Sequence, residues 1–116
     1  DMIGDCYLRI LVDQGAPAWL SDIVWDTAQR LGYNNHFAEF KQSVVDDHIP
    51  FRDAQIPSLE IIDFSYGGSP IDHQDNWHTP RDTLERVCPE SLQAVAHVIY
   101  HALPKIEMQL NELGKI

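Results

Sequence analysis

Basic side chains are scarce in this 116-residue chain: eight Lys and Arg against 18 Asp and Glu, a formal net charge of −10. A duplex nucleic-acid binder of this size carries a basic face, and none is visible, so nucleic acid is not an expected partner. No apolar run approaches the roughly 18–20 residues needed to cross a bilayer, so no membrane span is expected in this segment. Cysteine is nearly absent: Cys6 and Cys88 are too few for a disulfide scaffold or a Cys-rich zinc module. Two unpaired, half-buried thiols are the favoured reading, ahead of a pair. An initiator Met is also lacking, since residue 1 is Asp. The chain therefore reads as a piece of a longer protein, and the missing signal peptide excludes nothing. Internal repeats, low-complexity tracts and linkers are absent too.

What is present suffices for a core: 44% of residues are hydrophobic and 22% charged. Residues 7–12 (YLRILV) read as a short strand. Gly15 breaks it and Pro17 suits a first helical turn. Leu20, Ile23, Val24, Thr27, Ala28 and Leu31 then recur at helical spacing, and Gly32 is placed to end that helix in a left-handed conformation. Residues 43–45 are briefly extended, and Asp47 can cap a short helix through Phe51 and Ala54. Residues 57–64 form a mostly apolar run fit for a central strand. Residues 65–77 are too rich in Gly, Pro, Asp and Asn for regular structure, and long irregular loops after buried strands mark ligand sites. Thr79-Pro80-Arg81-Asp82 matches a helix start. A last helix begins near Pro89 and buries Leu92, Val95, Ala96, Ile99 and Leu103. Pro104 stops or kinks it, while Ile106, Leu110 and Leu113 continue the stripe.

Alternating strands and helices give an α/β class. Three strand candidates make a thin sheet, so residues 1–116 are expected to be one partial domain, the second half of a larger one.

Two clusters could carry chemistry: Asp46-Asp47-His48 and Asn76-Trp77-His78-Thr79, each where a loop meets a helix start. Asp47 also serves as a plain cap, and His48 in a first turn could simply fill space. His78 stands out, beside an aromatic ring at the end of an irregular loop, where a helix start offers the rigid seat a metal-binding imidazole needs. His97 and His101, spaced i, i+4, can chelate a metal but read as solvent-facing. Trp19 and Trp25 read as packing residues. The acid excess reads as solvated surface, and would also suit a site that attracts cations.

These residues carry a resemblance. Asp1-Met2-Ile3-Gly4, Asp46-Asp47-His48-Ile49-Pro50-Phe51, Ile56-Pro57-Ser58 and Trp77-His78-Thr79-Pro80-Arg81-Asp82-Thr83 occur in order and in register. Together they resemble the C-terminal half of the zinc-dependent aminopeptidases and the closely related glutaminyl cyclases, over essentially the whole chain. The resemblance implies an α/β/α sandwich with a mixed sheet, one or two zinc ions at its carboxyl edge, and peptide substrates. In two-zinc peptidases Asp1 would bind one zinc and His78 the other. In one-zinc cyclases His78 would remain a ligand, and Asp1 would join a hydrogen-bonded proton network with Asp46, the catalytic residue. Trp77 would line the pocket for the substrate's N-terminal residue.

The family's earlier His, bridging Asp and Glu-Glu pair lie upstream and do not occur here. Gln55 departs from the usual Gly before Ile56-Pro57, and residues 67–75 are longer than expected. The resemblance leaves the compartment open, with a secreted or periplasmic parent as one option. The expected function is therefore a zinc exopeptidase whose isolated fragment is inactive. The alternatives are a glutaminyl-peptide cyclotransferase and a non-catalytic domain that kept the fold.

A half-domain leaves sheet edges and helix faces uncovered. The isolated chain is expected to associate as a symmetric homodimer, with zinc weakly held or absent unless a neighbouring chain completes the shell. Sedimentation of the purified chain tests this, and a stable monomer with a cooperative melt at high concentration contradicts it.

Overall fold

The computed structural model describes residues 1–67 and 75–114. Strand β1 (Ile10–Asp13) leads into helix α1 (Ala18–Arg30), strand β2 (Phe37–Gln42) and short helix α2 (His48–Asp53). A single 3-10 turn (Leu84–Arg86) precedes the long helix α3 (Pro89–Glu112). β1 and β2 pair in parallel, Ile10 against Phe37 and Asp13 against Gln42, with an irregularity between Ile10 and Val12. α1 makes the crossover that parallel pairing requires.

β1 is buried on both faces, as parallel strands are. Leu8 and Ile10 enter the main core with Val24 and Ala28 of α1, Phe37 of β2, and Ala94, Val95, Val98 and Ala102 of α3. Leu11, pointing the other way, joins Val44 and Ile62 in a smaller cluster edged by Met2. Trp25 packs edge-on against Phe37 and donates its indole N–H to the Ala38 carbonyl at 2.8 Å.

The α/β class holds, and the described residues show it as a two-stranded parallel sheet with helices. Several expectations need correction. Strand β2, not expected from the sequence, has neither strict apolar–polar alternation nor a β-branched residue in Phe37–Gln42 (FAEFKQ). Residues 57–64, expected as a central strand, run extended without a ladder. Leu11 N–H donates to the Ile62 carbonyl at 3.1 Å and the Asp1 nitrogen to the Ile61 carbonyl at 2.7 Å. Pro17 is the cap of α1, just before its first turn. Asp47 occupies the cap position of α2 without a side-chain capping bond. Thr79 opens a turn in place of a helix, its hydroxyl donating to the Asn76 carbonyl and accepting from Arg81 N–H. Of the irregular stretch 65–77, residues 68–74 lie outside the described residues.

α3 continues through Pro104 to Glu112, and its buried side is rotated from the expected one. Ser91, Ala94, Val95, Val98 and Ala102 are buried, whereas Leu92 and Leu103 are 42% and 53% exposed. Small side chains, which a search for large apolar residues passes over, let α3 approach α1 closely. The result is that Leu92, Ala96 and Leu103 are exposed, while Ile99 is half-buried against the edge of the core.

Two helix ends share one device. Gly32 (φ 83°) follows α1 while Tyr33 N–H bonds the Ala28 carbonyl and Gly32 N–H that of Gln29. Gln55 (φ 63°) follows α2 with the same pair of bonds, Ile56 to Phe51 and Gln55 to Arg52. Both are Schellman closures, and the second explains why glycine suits position 55.

The reading of Cys6 and Cys88 as free thiols is overturned. They form a disulfide across a sequence separation of 82, with Cα atoms 5.0 Å apart. Nothing in their spacing signals this, because the proximity is tertiary: Cys88 N–H bonds the Gly4 carbonyl, Asp5 bridges Val87, and Ser91 Oγ donates to the Asp5 carbonyl at 2.6 Å. Such bonds persist in oxidising surroundings. Closing a loop this long stabilises by about 4 kcal/mol in the chain-entropy account. Reduction, or the Cys6→Ser/Cys88→Ser pair, is expected to lower the denaturation midpoint substantially, and an unchanged midpoint in urea titrations contradicts the bond's structural role.

Candidate functional site

A cavity of about 470 Å3 opens where the strand ends meet the loops. Asp1, Met2, Gln42, Ser43, Val44, Val45, Asp46, Ile62, Phe64, Trp77 and His78 line it. Asp1, Asp46, Trp77 and His78, the residues to which the resemblance gives roles, therefore line one cavity, although they span most of the chain.

Each is seated by its own local logic. Asp1 is held through its backbone nitrogen on the Ile61 carbonyl, and its Oδ1 accepts from Met2 N–H at 2.8 Å. The Asp46 carbonyl accepts from Ile49 N–H in the turn that starts α2, and its Oδ1 accepts from Asp47 N–H at 2.8 Å. Trp77 stacks on His78 with ring centroids 4.0 Å apart and planes 18° from parallel. Phe64 also packs against Trp77, with ring centroids 5.6 Å apart and planes tilted by 45°.

Two cavity residues carry backbone strain. Met2 has φ 51° and His78 φ 56°. The left-handed region costs a residue with a β-carbon about 1–2 kcal/mol and concentrates at functional sites. At His78 this turn brings the imidazole under the indole. Neither the strain at Met2 and His78 nor the Phe64–Trp77 contact was legible in the sequence, since both are set by tertiary packing.

His48 lies outside the cavity. It is buried between two carboxylates, with Nδ1 2.9 Å from Glu60 Oε2 and Nε2 3.7 Å from Asp13 Oδ2. Asp13 Oδ2 also accepts from Arg52 Nη2 at 2.6 Å and Glu60 N–H at 3.1 Å, while its Oδ1 accepts from Gly15 N–H. This polar knot fastens the end of β1, the start of α2 and the extended segment beneath the cavity. His97 and His101 are exposed on α3, as expected, and His97 Nδ1 lies 2.9 Å from the Tyr33 hydroxyl.

A second anchor lies behind Phe64. Asp63 is fully buried and accepts from Arg9 N–H at 2.8 Å, Ser65 N–H at 3.0 Å and Ser65 Oγ at 2.8 Å. Burial pushes its carboxyl above the ordinary value, against the pull of those three bonds, and the neighbouring Asp5 adds to the rise. Burial and the bond to Asp82 likewise raise the Tyr66 phenol.

Among the described residues, no group of three or more His, Cys, Asp or Glu is close enough to hold a metal, and no helix is long and apolar enough to cross a membrane.

The profile of peptidase family M28 matches residues 1–103. Aminopeptidase YwaD of Bacillus subtilis (strain 168) is 30% identical over 94 residues, 73% of this chain and 20% of that protein. The glutaminyl cyclase of an Acidobacteriales bacterium superposes with a TM-score of 0.85 at 32% identity, covering 94% of this chain and 38% of that one. A Zn-dependent exopeptidase from Parabacteroides distasonis ATCC 8503 superposes with a TM-score of 0.73 at 29% identity, covering 85% and 35%. The chain thus spans a fifth to two fifths of these relatives.

A raised carboxyl binds its proton more tightly folded than unfolded. The stability Asp63 contributes is therefore full below its unfolded value, near 3.8, and lost as pH rises through the higher folded one. Carboxyl-carbon NMR titration is expected to place the Asp63 midpoint above 3.8; a midpoint at or below that value contradicts this account of the anchor.

Proposed function

The chain belongs to peptidase family M28, and on that premise we propose that the whole protein acts on the N-terminal residue of peptides at a zinc centre, cyclising N-terminal glutamine to pyroglutamate. The observation that carries this reading is the cavity itself, whose lining includes Asp46 together with Asp1, His78 and the Trp77–Phe64 pair. The close superposition on a glutaminyl cyclase over 94% of the chain supports it.

The donor types fit the metal: an imidazole at His78 and a carboxylate at Asp1 are what zinc takes. Two donors do not make a site, so the remaining ligands are to be sought in the portion of the relatives this chain does not span. When bound, zinc polarises the carbonyl under attack.

In the proposed reaction the substrate's α-amine attacks its own γ-carboxamide carbon. A carbon–nitrogen bond forms to the amine, the bond to the amide nitrogen breaks, and ammonia leaves. The amine must shed a proton and the leaving nitrogen must gain one. Asp46, whose Oδ1 accepts from Asp47 N–H, carries that proton in this reading. In this reading Asp1 joins Asp46 in handling it. Trp77 and Phe64 form an apolar wall against which the folded-back glutamine side chain rests, keeping water from competing.

The second reading, hydrolysis by an aminopeptidase, is favoured by the similarity to YwaD. It uses the same cavity, with Asp1 as a ligand and water as nucleophile. A domain that kept only the fold is disfavoured by the strain at Met2 and His78, which a site without function has no reason to retain.

The whole protein, incubated with glutaminyl- and leucyl-peptides, is expected to release ammonia from the first and no free amino acid from the second. Asp46→Asn is expected to lower kcat about 10²–10⁴-fold with zinc content intact. His78→Ala should lose zinc and activity together, whereas Asp1→Asn should leave the metal in place. Release of the N-terminal residue, with one zinc lost in Asp1→Asn, overturns cyclisation in favour of the peptidase.

A further inference from the structure

Against the chain's net negative charge, one cavity gathers basic side chains. Beside the crossing of α1 and α3 lies a shallow cavity of about 260 Å3 lined by Thr27, Arg30, Leu31, His101 and Lys105. Two of the chain's eight Lys and Arg meet there with a histidine, and no Asp or Glu shares the wall. The neighbouring cavity beside Trp25 is lined by Asp26 and Glu39, and the candidate site by Asp1 and Asp46.

These cations are not spent on partners. Arg30 Nε donates to the Asp26 carbonyl one turn earlier at 3.4 Å, which orients the guanidinium and leaves its Nη edge unengaged among the described residues. Neither Arg30 nor Lys105 stands in an ion pair among those residues. Thr27 commits its hydroxyl proton to the Ile23 carbonyl at 2.7 Å, and Leu31 contributes apolar lining.

Like charges that converge without a counter-charge repel each other, and an anion between them removes that cost. The net −10 does not prevent its approach, because charges farther than about 8 Å are largely screened at physiological ionic strength. A guanidinium edge pairs two oxygens of an oxyanion at once. A phosphoryl group has oxygens left over for Lys105 and His101, which a carboxylate lacks. The same cations disfavour a divalent metal on the adjoining His97 and His101.

We propose that the cleft bounded by Arg30, His101 and Lys105 binds a phosphoryl dianion. This site is separate from the zinc-centre reading and does not depend on it. The test is a heteronuclear NMR titration of this chain with inorganic phosphate at constant ionic strength. Saturable shifts confined to residues 27–31 and 101–105 are expected, with a Kd of about 1 mM. Arg30→Gln and Lys105→Gln, both at solvent-accessible positions, should each weaken binding about tenfold, whereas Lys41→Gln on β2 should not. Acetate should bind more weakly than phosphate. Flotation with phosphatidic-acid vesicles separates the sources: residue-dependent uptake assigns a lipid headgroup, and phosphate binding without uptake assigns a soluble phosphoryl compound. Unsaturable shifts, or equal phosphate affinity in Arg30→Gln, Lys105→Gln and Lys41→Gln, overturn the proposal, as does zinc binding at His97 and His101 in place of phosphate.

Discussion

The buried carboxylate of Asp13 holds the cavity's floor together. At the end of β1 it accepts from Gly15, from Arg52 of α2 and from the Glu60 backbone, with the His48 ring beside it. One side chain thereby fixes three segments: the strand end, the turn that starts α2 and the extended run beside β1. Asp46 sits two residues before His48, and the Ile61 carbonyl that holds Asp1 follows Glu60 directly. Removing a partner from such a group leaves a buried charge uncompensated, which costs far more than a surface pair contributes. Disturbance at Asp13 should therefore reach both acids of the candidate site without touching the cavity.

A second set of restraints closes the opposite end. The Cys6–Cys88 disulfide, the Asp5–Val87 bridge and Ser91 on the Asp5 carbonyl tie the first residues to the start of α3. Asp5 accepts from Gly67 N–H at 2.9 Å, and Asn76 N–H bonds the Tyr66 carbonyl at 2.9 Å. The described ends of the loop that delivers Trp77 and His78 are thus anchored on either side. Rigid seating of this kind is what lets a strained His78 backbone persist.

Local chemistry made much of this legible. Gly32 closing α1, the apolar face of α1 and the Pro89 start of α3 follow from spacing and capping rules, and the structure agrees. The four site residues were nominated from motif and resemblance, and their convergence on one cavity is a geometric fact that no spacing rule supplies. Tertiary partners account for what was missed. Two cysteines 82 residues apart carry no pairing signal, β2 is specified by β1 beside it, and the buried stripe of α3 is set by close approach to Ala28. His48 was read as a space filler or a chemical group, whereas its burial between Glu60 and Asp13 makes it part of the support.

The central claim is that Asp1, Asp46, Trp77 and His78 surround one zinc-dependent reaction centre. Diffraction from crystals of the whole protein at the zinc absorption edge measures this most directly. The account predicts one anomalous peak at the His78 imidazole, with Asp46 in the same cavity but not coordinating. A peak remote from His78, or density that puts Asp46 on the metal, contradicts it.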